Sequence, residues 1–387
     1  MSERHFSEDV AFLSQYTDAL VLERGPARIV VAPQWQGRTM TSTSGGGAGK
    51  SYGYINYDHI ASGKHDPQIN LYGGEDRIWI SPEGGQFSVF FDPGVDLCFA
   101  NWRTPSVLDT EAFDIVHQSE HSVSFRKSAA IENFSRFRFD LQMDRTVNLL
   151  DTADAASKLN GCLDGLNAVY HESHNTVTNI GDSAWRPETG LIGVWMLCMN
   201  KPSPHATLIV PFRRGSTSEL GKIVTADYFG KLDSSRLVVD EASGLIFFLG
   251  DGQLRSKLGL SFERAQPRLG SWDQQRGVLS IIEFNLPPSA PHGYTNNLWE
   301  IQDQPFAGDV INAYNDGPNE SGGKLGGFFE LETISPALAL APAESFTHIH
   351  RTLRMEGERD ALDAVARYNF GVGLDTIESH FSVSRQS

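Results

Sequence analysis

At 387 residues, with 40% hydrophobic and 21% charged side chains, the chain has enough apolar material for a sizeable core, in one large β unit or in two to three domains. Its 32 basic and 48 acidic residues leave a net charge of −16, which excludes the basic surface that nucleic acid or an anionic membrane requires. The longest apolar run, residues 191–199, is far too short to span a bilayer.

The first ten residues carry Glu, His and Asp and lack an apolar core, so they do not read as a signal peptide. The three cysteines, Cys98, Cys162 and Cys198, match no zinc spacing and are odd in number. Among apolar neighbours they read as buried, reduced thiols of a cytoplasmic protein.

In chain order, Val10, Leu13, Tyr16 and Leu20 recur at helical spacing and predict a leading helix over 8–23. Residues 1–26 are therefore expected as a helical lead-in, and 27–387 as one β-sandwich domain with a C-terminal helix. Short β-branched and aromatic runs follow at 28–33, 77–80, 87–91 and 122–125, separated by Gly- and Pro-containing turns. Further strands are expected at 175–178, 191–199, 206–212, 235–239, 245–249, 277–285, 327–333 and 346–355. Residues 358–368 carry Leu362, Val365 and Ala366 on one helical face. Strands dominate without β–α alternation, which excludes doubly wound and TIM-barrel folds and leaves a sandwich or large barrel.

The glycine-rich stretch 44–51 has Ser44 where a phosphate loop needs glycine. The strand-like 52–57 follows it instead of a helix, so it reads as a turn. Three segments carry groups suited to a sugar. In residues 73–85, Trp79 offers an aromatic platform and Asp76, Arg77 and Glu83 can bond hydroxyls. In 308–318, Asp309, Asn312 and Tyr314 are compact donors and acceptors.

Third, alternation puts Glu330 and Glu332 on one face of a strand, and His348 and His350 on one face of the next. Paired antiparallel across a Pro-rich connector, these strands would present two carboxylates and two imidazoles together. That set suits acid–base chemistry or, alternatively, a divalent cation. His171 and His174 fall on opposite faces of their strand, so at most one reaches a site.

Leu331-Glu332-Thr333, a Pro-containing connector and Pro342-Ala343-Glu344-Ser345 resemble the late segment of galactose mutarotases and aldose epimerases. The segments 73–79, 175–181, 308–318 and 328–337 are similar to an uncharacterised bacterial branch of that superfamily. The resemblance implies a mainly β, galactose-mutarotase-like supersandwich with a sugar site on the concave face of its large sheet. It implies Glu332 as the base, with Arg38 and Asn56 standing for the early sugar-binding Arg and Asn. One departure is explicit: the family's acid histidine follows a Thr-Asn pair, and here Thr178-Asn179 is followed by Ile180.

The expected function is therefore acid–base chemistry on a monosaccharide or small glycoside, without a cofactor. Glu332 would be the base, and His348, His350 or His174 the acid. Arg38, Asn56, Asp76, Arg77, Trp79, Glu83, Asp309, Asn312, Tyr314 and Glu330 would bind the sugar. The alternatives are a non-catalytic carbohydrate-binding protein, or a glycoside hydrolase or lyase on the same scaffold.

Overall fold

The computed structural model describes residues 4–158, 163–318 and 322–381. Among them are eighteen strands and seven α-helices. In chain order these are α1 (Phe6–Leu13), β1 (Leu20–Arg24), β2 (Ala27–Ala32), β3 (Arg38–Thr43), α2 (Tyr57–Ser62), β4 (Arg77–Ser81), α3 (Ser106–Asp109), β5 (Asp114–Gln118), β6 (Ser122–Glu132), β7 (Arg138–Leu149), α4 (Thr152–Lys158), β8 (Leu166–Asn179) and β9 (Gly193–Asn200). The second half holds β10 (Ala206–Pro211), α5 (Thr217–Leu220), β11 (Leu237–Asp240), β12 (Leu245–Leu249), β13 (Ser256–Leu260), β14 (Arg268–Asp273), β15 (Val278–Phe284), β16 (Ile311–Asn315), β17 (Phe329–Ile334), β18 (Ser345–Gly357), α6 (Arg359–Phe370) and α7 (Leu374–Ser379).

Ten strands form a large sheet in the order β11-β12-β10-β14-β15-β18-β8-β7-β6-β5. Five form a small sheet, β13-β16-β17-β9-β4, and β1-β2-β3 form a third. The two main sheets pack face to face. Val123, Phe125, Leu141 and Val177 from the large sheet share one core with Ile78, Met196, Leu258 and Leu331 from the small one. A second core lies behind the large sheet, where α6 and α7 set Leu362, Phe370 and Ile377 against Ile209, Phe247 and Ile281.

Several expectations need correction. The leading helix stops at Leu13, and Leu20 opens β1, which pairs with β2. The break falls at Thr17-Asp18, where Gln34 accepts the Asp18 N–H at 3.0 Å and Leu22 turns into the core. Residues 88–91 are buried, but 87–91 form no strand: Ser88 folds back, its hydroxyl bonding the Glu83 carbonyl at 2.6 Å. Residues 52–55 make isolated bridges and lead into α2. Cys98 is exposed and Cys198 buried, while Cys162 lies outside the described residues.

The largest correction concerns β17 and β18, which do not pair. β17 lies between β16 and β9, and β18 between β15 and β8, in the opposite sheet. His348 and His350 do meet β17, but at Thr333, whose Oγ1 lies 2.9 Å from His348 Nε2 and 3.0 Å from His350 Nδ1. Thr333 alternates with Glu330 and Glu332, so the histidines sit between the sheets and the carboxylates face away from them.

Buried ion pairs accompany the histidines between the sheets. Arg145 bonds Asp76 at 2.9 Å, Arg354 bonds Glu75 at 2.8 Å, and His171 approaches Glu75 at 3.4 Å. Each of these groups is inaccessible or nearly so. Arg354 and His171 hold the Glu75 carboxyl below its usual range against the pull of burial, and Arg145 does the same for Asp76.

Candidate functional site

The small sheet's register builds one polar face. Lys257 of β13 stands opposite Tyr314 of β16, which stands opposite Glu330 of β17. Asn312 stands opposite Glu332, Glu332 opposite Leu197 of β9, and Leu197 opposite Arg77 of β4. Trp195 pairs with Trp79 on the same face. Side chains two apart on each strand therefore converge on the sheet surface that points away from the large sheet.

Loops close over this surface and leave a cavity of about 330 Å³, near the lower end of the roughly 300–1,000 Å³ usual for small-molecule sites. Its floor holds Glu332, Glu330, Lys257 and Arg77. Its walls include Trp79, Trp195, Trp102 and Trp299.

Glu332 is 1% exposed. Its Oε2 accepts the Trp195 indole N–H at 2.9 Å and lies 3.5 Å from the Lys257 ammonium. Burial alone would lower the Lys257 pKa. Glu332 first, then Glu83 and Asp309, outweigh it and raise it above the ordinary lysine value, so the cation persists. The Lys257 ammonium also sits 4.9 Å from the Trp195 ring centre.

Glu330 is held differently. Arg77 bonds it at 3.1 Å, yet burial, reinforced by the like charge of Glu332, outweighs that pull and raises its pKa to about 8. The Arg77 guanidinium also lies 4.5 Å from the Trp79 ring centre. Burial raises Glu83 to about 6 despite Lys257.

Asp309 accepts from the Tyr228 hydroxyl and from Asn312 Nδ2, the latter at 3.0 Å. Burial keeps its pKa above the usual aspartate value. At Gly259 a Cβ would come within 2.1 Å of Asp309 Oδ2, so a larger residue there would push that carboxylate aside.

Of the residues expected from sequence, Arg77, Trp79, Glu83, Asp309, Asn312, Tyr314, Glu330 and Glu332 line this cavity. The others do not. Arg38 is spent on the Gly73 carbonyl and Gln36. Asn56 caps α2 through the His59 N–H. Asp76 turns between the sheets to Arg145.

His348 and His350 are sealed in the same layer. His174 lies on the large sheet, 2.8 Å from Glu172 and not at the cavity. Among the described residues no histidine lines the cavity, whose titratable side chains are carboxyl, ammonium, guanidinium and phenol groups. Nor, among the described residues, does any group of three or more His, Cys, Asp or Glu side chains form a metal-holding cluster. The cavity lies on the small sheet, whereas the resemblance places the sugar site on the large one.

Sequence reading missed Lys257, Trp195, Tyr228, Trp102, Trp299 and Arg255. Trp195 lay inside an apolar run, and Arg255 and Lys257 flank Ser256 with no acidic or aromatic group next to them in sequence. Only the register of β13 and β9 brings Lys257 and Trp195 to Glu332.

Two face-packed antiparallel sheets with this connectivity form a galactose-mutarotase-like fold. A candidate aldose 1-epimerase from Escherichia coli K12 is similar over 88% of this chain and 100% of its own, at 14% identity and a TM-score of 0.52. The Slr1438 protein of Synechocystis sp. PCC 6803 matches over 89% and 98%, at 14% identity and a TM-score of 0.50. By sequence the chain belongs to a family of unknown function, DUF6786, whose model matches residues 4–381. No curated protein matches it. Among the described residues, no helix is long and apolar enough to cross a membrane.

Proposed function

We propose that the cavity binds a carbohydrate and interconverts its anomers by acid–base chemistry. The observation that carries this reading is the pair of carboxyl groups on β17. They share one buried face, and each has its own cation partner, Lys257 for Glu332 and Arg77 for Glu330. Glu332 is bonded by an indole N–H and faces an ammonium, the setting of a carboxylate poised to accept a proton. Glu330 is driven toward its protonated form at neutral pH, the setting of a donor.

In the forward step Glu332 removes the proton from the C1 hydroxyl, and Glu330 delivers its proton to the ring oxygen as the C1–O5 bond breaks. Rotation about C1–C2 and the reverse transfers close the ring in the other configuration. No cofactor enters this balance. Trp79 and Trp195 supply apolar faces for the sugar's C–H groups, and Asp309, Asn312 and Arg77 supply hydrogen bonds to its hydroxyls.

The test is anomer exchange measured by NMR across a panel of free aldoses. Acceleration supports the enzyme. Saturable binding without acceleration supports a sugar-binding protein instead, a reading favoured by Ile180 where the family acid would stand. Absence of both defeats the carbohydrate assignment.

The reading also fixes a pH limb. A donor with a pKa of about 8 is protonated below that value and loses its proton above it. Exchange should therefore fall as pH rises through about 8. Glu330→Gln, which cannot donate an acidic proton, should lower the rate by roughly 10²–10⁴ and remove the limb. A variant of normal rate with the limb intact would assign the donor elsewhere.

The aromatic wall is tested separately. Trp79→Ala removes the surface beneath Arg77 and should weaken sugar binding by about tenfold, on the order of 1 kcal/mol. Isothermal titration that finds unchanged affinity would take Trp79 out of the site.

A further inference from the structure

Ten large hydrophobic residues are exposed among those described, and three of them, Phe99, Phe229 and Leu298, line the mouth of this one cavity. Leu254 and Ile301, also exposed, are one and three residues away in sequence from the cavity residues Arg255 and Leu298. Single exposed apolar side chains need no explanation, but a group of them around an opening marks a binding surface.

The rim is continuous with the cavity wall. Phe99 stacks on Trp102 at 6.1 Å and 15°, and Trp102 stacks on Trp299 at 6.0 Å and 20°. Across the mouth, the Arg255 guanidinium covers Phe229 at 4.3 Å. The polar floor and the apolar rim are therefore two different surfaces joined by one aromatic column.

The rim is also held in place. Gln302, largely buried, donates to the Leu298 carbonyl at 2.7 Å and to the Asn296 carbonyl at 3.1 Å. Gln86 and Gln302 exchange two further bonds of 2.8 and 2.9 Å. Gly84 packs so tightly that a Cβ would come within 2.3 Å of the Leu298 carbonyl oxygen. On the other side, Gln68 donates to the carbonyls of Phe99 and Trp102. The exposed rings are displayed by anchored loops, which a void waiting to collapse would not require.

We infer that the substrate is a reducing sugar carrying an apolar, aromatic substituent at the end remote from C1. This rests on the reading above, in which C1 sits over Glu330 and Glu332 on the floor. With C1 there, the remote end of the ring points to the mouth. A hydroxymethyl or hydroxyl group at that end would leave Phe99, Leu298 and Phe229 facing water. An aryl group would cover them.

The probes are D-glucose, D-galactose and the 6-O-benzyl ether of each, titrated calorimetrically against the full chain and against Phe99→Ala/Leu298→Ala. The expected result is at least tenfold tighter binding of a benzyl ether than of its parent sugar. The double variant should erase that gain while parent-sugar affinity stays within twofold. Equal affinities, or a gain that survives the variant, overturn the inference and leave the carbohydrate reading standing. Failure of every parent sugar and every ether to bind overturns both. Sedimentation of both proteins closes the remaining case: a dimer of the wild type that the double variant dissolves would show that a second copy covers the rim, and would overturn the inference.

Discussion

Glu332→Gln is expected to lower the rate of anomer exchange by roughly 10²–10⁴ with little change in sugar binding. The substitution keeps the shape of the side chain, and its amide oxygen can still accept the Trp195 N–H seen at 2.9 Å. It removes the proton acceptor and the negative charge facing Lys257. A base acts in the transition state, so kcat should carry the loss and KM should not. The rival account makes Glu332 a structural counter-ion for a buried lysine. On that account the variant would lose about 1–3 kcal/mol of stability and keep its kcat. Measuring kcat, KM and the urea midpoint on one preparation separates the two. Glu330→Gln is the internal control, because it should abolish the alkaline limb, whereas Glu332→Gln, by removing the like charge beside Glu330, should only shift it to lower pH.

The second large effect belongs to the layer between the sheets. His348 and His350 are both inaccessible to solvent. Burial, and for His348 the neighbouring His350, lowers their pKa values to about 3 and about 4. The sign follows from proton counting. Between the unfolded value near 6.5 and these folded values, the unfolded chain binds two protons that the folded chain refuses. Stability is therefore full above about pH 6.5 and is lost as pH falls below it.

Each histidine contributes on the order of 1.4 kcal/mol per pH unit in that window, so the pair costs about 3 kcal/mol per unit. The depressed carboxyls of Glu75 and Asp76 act lower, because their contribution is lost only as pH falls from the ordinary carboxylate range. Urea midpoints between pH 7 and 5 should fall steeply in the wild type. A His348→Asn/His350→Asn protein should start lower and change much less. A wild-type midpoint that stays flat over this range would show that the pair stays neutral in the unfolded chain too, or is protonated when folded.

The residues that spoke for themselves in the sequence were those whose chemistry clusters locally. Residues 77–83, 309–314 and 330–332 each hold several polar or aromatic groups on short strands and loops, and each reaches the cavity. Alternation correctly separated Glu330 and Glu332 from Phe329, Leu331 and Thr333.

Alternation says which face of its own strand a side chain takes, and nothing about what that face meets. The histidines were assigned to the carboxylates because a ten-residue connector, 335–344, suits a hairpin as well as a crossing between sheets. The strand β7 alternates regularly, but Arg145 occupies an inward position and disguises it. Lys257 and Trp195 had no local signature, since their role comes from pairing with strands far away in the chain.

That distance shapes how the protein must be made. Arg77 and Glu330, joined in one ion pair on the cavity floor, are 253 residues apart. At roughly 5–20 residues per second of synthesis, Arg77 emerges on the order of ten to fifty seconds before its partner exists. During that interval a lone cation sits in the run Arg77-Ile78-Trp79-Ile80, and β4 has no β17-bearing sheet to join. The small sheet can be completed only late, after β17 leaves the ribosome. Nascent chains cut short before residue 329 hold neither carboxylate. On the proposed mechanism such chains lack both proton-transfer groups, so anomer exchange would report that β17 has been made and joined to the small sheet.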